Sequence, residues 1–324
     1  MSALGLLQLS WRPYRFVLPH RLITSRGVLV ERSGWLLRLQ APNGELGWGE
    51  AAAPLLTPAQ PSLAAAVAVL PPALAREELE QQIAQLPAPL ACAVGMALAE
   101  LDGAVGCWQR APRSAWLLPA GDAALAELER LLASDGPSES PLTLKWKVAA
   151  LPDAHERALL EALLQRLPAS AHLRLDANGG WDLATAHRWA DRLAEEPRLQ
   201  WLEQPLAPLE LPELARLGAR LPVALDESLP HLLPQQRQSW PGWLVRRPLQ
   251  EGDPRPLLQQ LQAGLPRQMI STAFETGIGQ RFVEHLAALQ AQGPTPVAPG
   301  LAPGWQPDGP LFANDPEQVW GAAV

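Results

Sequence analysis

The chain has 324 residues, of which 48% are hydrophobic and 18% charged, with a mean hydropathy of −0.03. That balance excludes a disordered chain and a polar repeat, and the length suits one large α/β barrel or two medium domains. The net charge of −7, with no dense Lys/Arg run, speaks against a nucleic-acid or anionic-membrane partner. The longest apolar stretches, Ser62–Ala75 and Leu86–Ala99, contain prolines and fall short of a membrane span. The N-terminus has neither a basic head nor a long apolar run, so no signal peptide is expected and the protein reads as cytoplasmic. Cys92 and Cys107 are expected to be buried free thiols. The 35 prolines follow no period and read as many rigid connections.

In chain order, Leu6–Pro19 and Gly27–Gln40 are strand-like, and Asn43-Gly44 signals a hairpin before Leu46–Glu50. Ser62–Leu70, Arg76–Leu86 and Leu90–Val105 read as helices, which makes residues 1–110 an α+β module. From about residue 113 strands alternate with helices. The strands are Ala115–Pro119, Leu142–Val148, Leu173–Ala177, Gln200–Glu203, Val223–Asp226, Trp243–Arg247 and Gln268–Ala273, with a weaker one at Thr295–Ala298. The helices include Ala123–Ser134, Asp153–Leu167, Leu183–Glu195, Glu210–Leu221 and Phe282–Gln292. This rhythm predicts an α/β fold, with a modified (β/α)8-type barrel over 111–300 and an α+β capping domain before it. The loop-like segment 301–324 is expected to pack back on the body.

Alternate residues of a strand share a face. In Leu142–Val148 the apolar set is Leu142, Leu144, Trp146 and Val148, and the other face carries Thr143, Lys145 and Lys147. The same parity sets Arg174 and Asp176 opposite Leu173 and Leu175, Glu203 opposite Leu202, and Asp226 opposite Val223 and Leu225. With the apolar faces turned to the outer helices, two lysines, an arginine and three carboxylates point into the barrel. Singly, each has an ordinary explanation: a strand-end Asp caps a helix, and alternating lysines mark a wet face. Jointly, acids on three successive strands, 27 and 23 residues apart, must pair, meet water or bind metal. Three carboxylates without Cys or His suit a hard divalent ion, Mg²⁺ or Mn²⁺. The six histidines show no ligand spacing, so zinc is not expected.

The segments Lys145-Trp146-Lys147, Leu175–Asn178, Trp201–Pro205 and Ala224–Ser228 resemble the enolase superfamily, in its muconate-lactonising branch. Gly47-Trp48-Gly49-Glu50 and Ser271–Gly277 add to the resemblance, which runs from about residue 12 to 301 and within the branch is greatest to the o-succinylbenzoate synthase family. The resemblance implies a magnesium-dependent hydro-lyase of menaquinone or phylloquinone biosynthesis, acting on a small carboxylate substrate. Asp176, Glu203 and Asp226 would hold Mg²⁺, or Mn²⁺ in its place, and Lys147 would take the proton α to the substrate carboxylate. Lys145 and the metal, as nearby cations, would favour the neutral amine of Lys147.

One position departs from the family pattern. Arg247 stands where most relatives place a lysine before the proline. An arginine is a poor base, so a two-base racemase or epimerase is disfavoured, whereas a one-base dehydration tolerates a fixed cation. Another racemase, epimerase or cycloisomerase of the superfamily stays open as an alternative, as does a barrel that only binds. Asn178 and Arg174 are expected to orient Lys145 and the carboxylates, and Ser271, Thr272 and Gly300 to contact substrate. Residues 18–27 are where the family keeps its capping loop, and Glu50 is read as either reaching the pocket or structural. A monomer is expected.

Overall fold

A computed structural model describes residues 5–55, 63–134 and 141–324. The N-terminal part is an antiparallel sheet with helices on one face. It comprises β1 (Leu7–Thr24), β2 (Gly27–Gln40), β3 (Leu46–Ala52), α1 (Leu63–Ala68), β4 (Ala73–Leu74), α2 (Arg76–Ile83) and α3 (Ala88–Leu101), with strand order β3-β2-β1-β4. Ser62, the expected start of the first helix, lies outside the described residues. The expected first strand is longer than read: β1 and β2 form one hairpin arm that turns at residues 25–26, Thr24 pairing with Gly27. At Gly47 and Gly49 of β3, an added Cβ would lie 2.1 Å from Ala97 O and 1.9 Å from Ala93 O. Those two glycines let α3 lie directly on the strand.

The remainder alternates. In order come β5 (Trp116–Leu118), α4 (Ala123–Ser134), β6 (Thr143–Lys147), α5 (Asp153–Arg166), β7 (His172–Asp176), α6 (Leu183–Leu193), β8 (Leu199–Glu203), α7 (Leu211–Gly218) and β9 (Val223–Leu225). Then follow α8 (Pro234–Ser239), β10 (Trp243–Arg246), α9 (Arg255–Gln262), β11 (Gln268–Ile270), α10 (Gly277–Gln292) and α11 (Pro316–Ala322). β5 to β11 form one parallel sheet in sequential order, the curled barrel of the expected fold class. Thr295–Ala298 is not a strand. Pro294, Pro296 and Pro299 lack the N–H groups a ladder needs. The seam between first and last strands is bridged instead by the next residues: Pro299 O accepts from Ala115 N at 2.8 Å, and Gly300 N donates to Ile270 O at 2.8 Å.

The side-chain parity read from the sequence is the parity of the structure. Leu144, Trp146, Val148, Leu173, Leu175, Leu202, Val223 and Leu225 pack in one core with Leu128, Leu160, Leu163, Trp189 and Leu214 of the outer helices. Inside the barrel the apolar floor is small, made by Trp201, Ala224, Val245 and Met269. The C-terminal segment, expected to be loop-like, carries a helix. Asp315 caps α11, and Trp320 is buried against Trp48 with Arg12 and Arg38 over its ring. The short helices α8 and α9 were also unread. Cys92 is buried as expected, but Cys107 is exposed; both thiols are free. Among the described residues no helix is long and apolar enough to cross a membrane.

Candidate active site

Strand register assembles the charged cluster. Lys147 stands beside Asp176, and Asp176 beside Glu203, across three neighbouring strands. One level deeper lie Lys145, Arg174 and Trp201. The pairing of β7 with β8 slips between Leu173 and Arg174, from Leu173–Leu199 to Arg174–Trp201. Skipping Gln200 in this way keeps Glu203 level with Asp176. Two residues of strand span about 6.6 Å, so the long Lys145 side chain climbs to the carboxylates of the level above.

The result is a buried cluster of fixed charges. Lys145 Nζ donates to Glu203 Oε1 at 2.5 Å and lies 2.7 Å from Asp176 Oδ2. Lys147 Nζ donates to Asp176 Oδ2 at 2.5 Å and to Asn178 Oδ1 at 2.9 Å. Arg247 grips Asp226 through Nε at 3.0 Å and Nη2 at 2.5 Å, and its Nη1 donates to Thr272 O at 2.7 Å. Gln204 steadies the same strand end. Its Oε1 accepts from the backbone N–H groups of Asp226 and Ser228, at 3.2 and 3.1 Å.

The electrostatics follow from burial and neighbours. Burial raises the Glu203 pKa, and the Asp176 charge raises it further, to about 8. Burial, then the charge of Asp226, pushes Glu227 up to about 7. Burial works against ionised Asp176 and Asp226 as well, but Lys145 and Lys147 outweigh it for Asp176 and Arg247 for Asp226, so both lie below the usual range. Burial opposes the Lys145 ammonium, yet Asp176 and Glu203 hold its pKa above the ordinary value. Burial lowers Arg174 to about 9.

The carboxylates of Asp176, Glu203 and Asp226 each offer an oxygen within 4.8 Å of the others. Glu203 Oε2 is buried and has no hydrogen-bond partner among the described residues. An orphaned oxygen among three convergent carboxylates is costly unless a cation takes it up, so the donor set fits a hard divalent metal ion.

Backbone strain concentrates at this face. Ala149, Asn178 and Gln204, just beyond the ends of β6, β7 and β8, have φ of 61°, 46° and 39°, and Phe274 and Ala302 have 60° and 48°. Left-handed non-glycine residues cost energy and gather where function needs the chain bent. Above the cluster opens a cavity of about 500 Å³. Lys145, Lys147, Asn178, Asp226 and Arg247 line its floor, Ser271, Thr272 and Gly300 one wall, and Leu22, Thr24, Arg26 and Leu29 of the β1–β2 arm its mouth.

The chain carries the enolase C-terminal domain-like family model over residues 124–237. It is 35% identical over 302 residues to the o-succinylbenzoate synthase of Thermosynechococcus vestitus, covering 85% of this chain and 87% of that one. The chain belongs to the o-succinylbenzoate synthase family of the enolase superfamily. A crystal structure of the Thermosynechococcus elongatus o-succinylbenzoate synthase, complexed with Mg in its active site, superposes with a TM-score of 0.77 at 31% identity, over 97% of this chain and 99% of that one. The Bacillus subtilis L-Ala-D/L-Glu epimerase shares the fold, with a TM-score of 0.69 at 18% identity over 94% of this chain and 92% of that one.

Against this synthase-family frame, the residues singled out in the sequence divide. Lys145, Lys147, Asp176, Glu203, Asp226, Asn178 and Arg247 come together. Arg174 is fully buried beneath them and away from the cavity wall. It donates to Gln200 Oε1 and Ala298 O, and its guanidinium lies 4.1 Å from the Trp201 ring centroid. Ser271 and Thr272 reach the wall, but their hydroxyls already donate, to Gly300 O at 3.3 Å and to Glu275 Oε2. Gly300 permits a close approach, since an added Cβ would stand 3.1 Å from Ser271 Oγ. Glu50 takes the structural role: its carboxylate accepts from Tyr14 Oη, the Thr276 backbone and hydroxyl, and Gly279 N, tying β3 to the start of α10. Three site residues went unread. Gln204 and Glu227 sit inside motifs quoted above, each one residue beyond a carboxylate of the cluster, and Glu251 accepts from the Arg247 backbone N at 2.7 Å.

Proposed function

We propose that this chain is an o-succinylbenzoate synthase, a carbon–oxygen hydro-lyase that converts 2-succinyl-6-hydroxy-2,4-cyclohexadiene-1-carboxylate into o-succinylbenzoate and water, in menaquinone or phylloquinone biosynthesis. The observation that carries this reading is the buried set of Lys145 and Lys147 among three carboxylates at the C-terminal end of the barrel strands. A divalent ion held by Asp176, Glu203 and Asp226, Mg²⁺ with Mn²⁺ as a substitute, supplies Lewis-acid stabilisation of the negative charge that gathers on the substrate carboxylate.

The chain's own residues do the rest. Lys147, at the floor of the cavity, takes the proton α to the carboxylate. The C–H electron pair becomes the ring's third double bond, the C–O bond breaks with its pair, and the ammonium of Lys147 returns the proton so that hydroxide leaves as water. One base on one face serves both transfers, a syn elimination. Lys145 and Arg247 act as fixed cations beside the developing charge. Arg247 is held by Asp226 and Thr272, which suits a cation and not a second base, and so favours dehydration over racemisation or epimerisation. Ser271, Thr272 and Gly300 would meet the succinyl arm, the two hydroxyls exchanging their present acceptors for it. In the same reading, residues 1–110 cap the barrel of 111–300, 301–324 braces both, and the protein works as a cytoplasmic monomer.

The test is an absorbance assay with the cyclohexadiene substrate. Metal-dependent conversion to the aromatic product, abolished by EDTA, is the expected result. No conversion by folded, metal-loaded protein would overturn the assignment.

A further inference from the structure

The Asn178 amide is a switch with two ends. Its Oδ1 faces the Lys147 ammonium at 2.9 Å, and its Nδ2 faces Glu227 Oε1, also at 2.9 Å. The oxygen and nitrogen ends of an amide are alike in shape, and only their partners decide which way it lies. Turned over, the amide would set an NH₂ donor against a donor ammonium and take the acceptor from Lys147. Around Asn178 the geometry is tightly determined. Its backbone N donates to Asp176 Oδ1 at 2.9 Å, its φ is 46°, and Ser25 of the β1–β2 turn donates to the neighbouring Ala177 O at 2.9 Å. None of these contacts chooses between the two ends of the side chain. Glu227 does.

We propose that Glu227 is a positioning residue for the proton-transfer lysine: by accepting from Asn178 Nδ2 it locks the amide with its oxygen toward Lys147. The inference rests on the reading of Lys147 as the base. Among the described residues the Glu227 carboxylate has a single close donor in Asn178. The Arg26 guanidinium lies 3.7 Å away, at a half-exposed position where an ion pair contributes little. The other oxygen, Oε2, is buried without a hydrogen-bond partner among the described residues. Glu227 therefore acts on Lys147 through the Asn178 amide, in addition to the direct attraction of its charge.

The experiment compares Glu227→Gln, which keeps an acceptor for Asn178, with Glu227→Leu, which fills similar space and accepts nothing, and places both in a cycle with Asn178→Ala. Folding is checked by circular dichroism and metal binding by Mg²⁺ titration. Glu227→Gln is expected to retain kcat within about threefold. Glu227→Leu is expected to lower kcat about tenfold with KM within about twofold, the size of one lost charge-assisted hydrogen bond at the base. In Glu227→Leu nothing holds the Asn178 oxygen toward Lys147, so the loss falls on kcat and not on KM. With Asn178 already alanine, Glu227→Leu should cost clearly less than it does alone. Should Glu227→Leu fail to fold, Glu227→Ala takes its place in the cycle.

Two results would overturn the proposal: Glu227→Gln as damaged as Glu227→Leu, or additive losses in the double variant. Lys147→Ala, run alongside, separates the two readings. If it still turns over, the base assignment fails. If it is inactive while Glu227→Leu behaves as the parent enzyme, only the positioning role fails.

Discussion

Metal binding by this site should be a proton exchange. Without metal, burial and the Asp176 charge hold the Glu203 pKa at about 8. At pH 7 Glu203 is then about nine-tenths protonated, and a carboxylate must be ionised to serve as a ligand. Divalent-metal binding should therefore expel about 0.9 proton at pH 7 and about 0.5 at pH 8. The apparent affinity should weaken about 50-fold from pH 8 to pH 6, or about 2 kcal/mol. Calorimetric titration with Mg²⁺ in two buffers of different protonation enthalpy counts those protons directly. The stability sign runs the same way. The folded-state pKa lies above the ordinary glutamate value of 4.5, so the metal-free fold loses proton-linked stability as pH rises toward 8, while metal stabilisation grows. The gain in Tm on adding Mg²⁺ should thus be larger at pH 8 than at pH 6. Glu203→Gln should remove the proton release and most of the affinity. A flat affinity between pH 6 and 8, with no protons released, would refute the reasoning.

Other perturbations separate the roles of neighbouring groups. Asp226→Asn should weaken Mg²⁺ binding by at least about tenfold, because the ligand loses its charge, and an unchanged titration would remove Asp226 from the metal set. Arg247→Lys should keep kcat within about tenfold if a cation is all the position supplies. A deeper loss would show that the fork to Asp226 and the bond to Thr272 O matter by their geometry. Glu50→Ala strands the buried donors Tyr14 Oη, Thr276 N and Gly279 N, and should cost about 3–5 kcal/mol in urea unfolding while leaving Mg²⁺ affinity unaltered. A cost below about 1 kcal/mol would contradict the anchoring role.

Much of this site was legible because period-2 alternation in a parallel strand reports which face each residue takes. Lys145, Lys147, Asp176, Glu203 and Asp226 stood opposite leucines, valines and tryptophans, and the barrel has no other place for them. What alternation does not carry is partner choice along loops. Gln204 and Glu227 act through hydrogen bonds to residues 22 to 49 positions away, which no local pattern reports. The short helices α8, α9 and α11 were hidden by their own starts. Pro234, Pro256 and Pro316 read as breakers, yet a proline in the first turn leaves unmade only a hydrogen bond the helix does not have there. The expected eighth strand failed for the opposite reason, since its prolines fall where a ladder needs donors.

The proposed dehydration depends on Lys147, held at 2.5 Å from Asp176 and 2.9 Å from Asn178, as the group that transfers the proton. The most direct test is Lys147→Ala in the dehydration assay, with Mg²⁺ affinity measured on the same preparation. Turnover is expected to fall by at least about 10³-fold with metal binding retained. Turnover within tenfold of the parent enzyme would contradict that role.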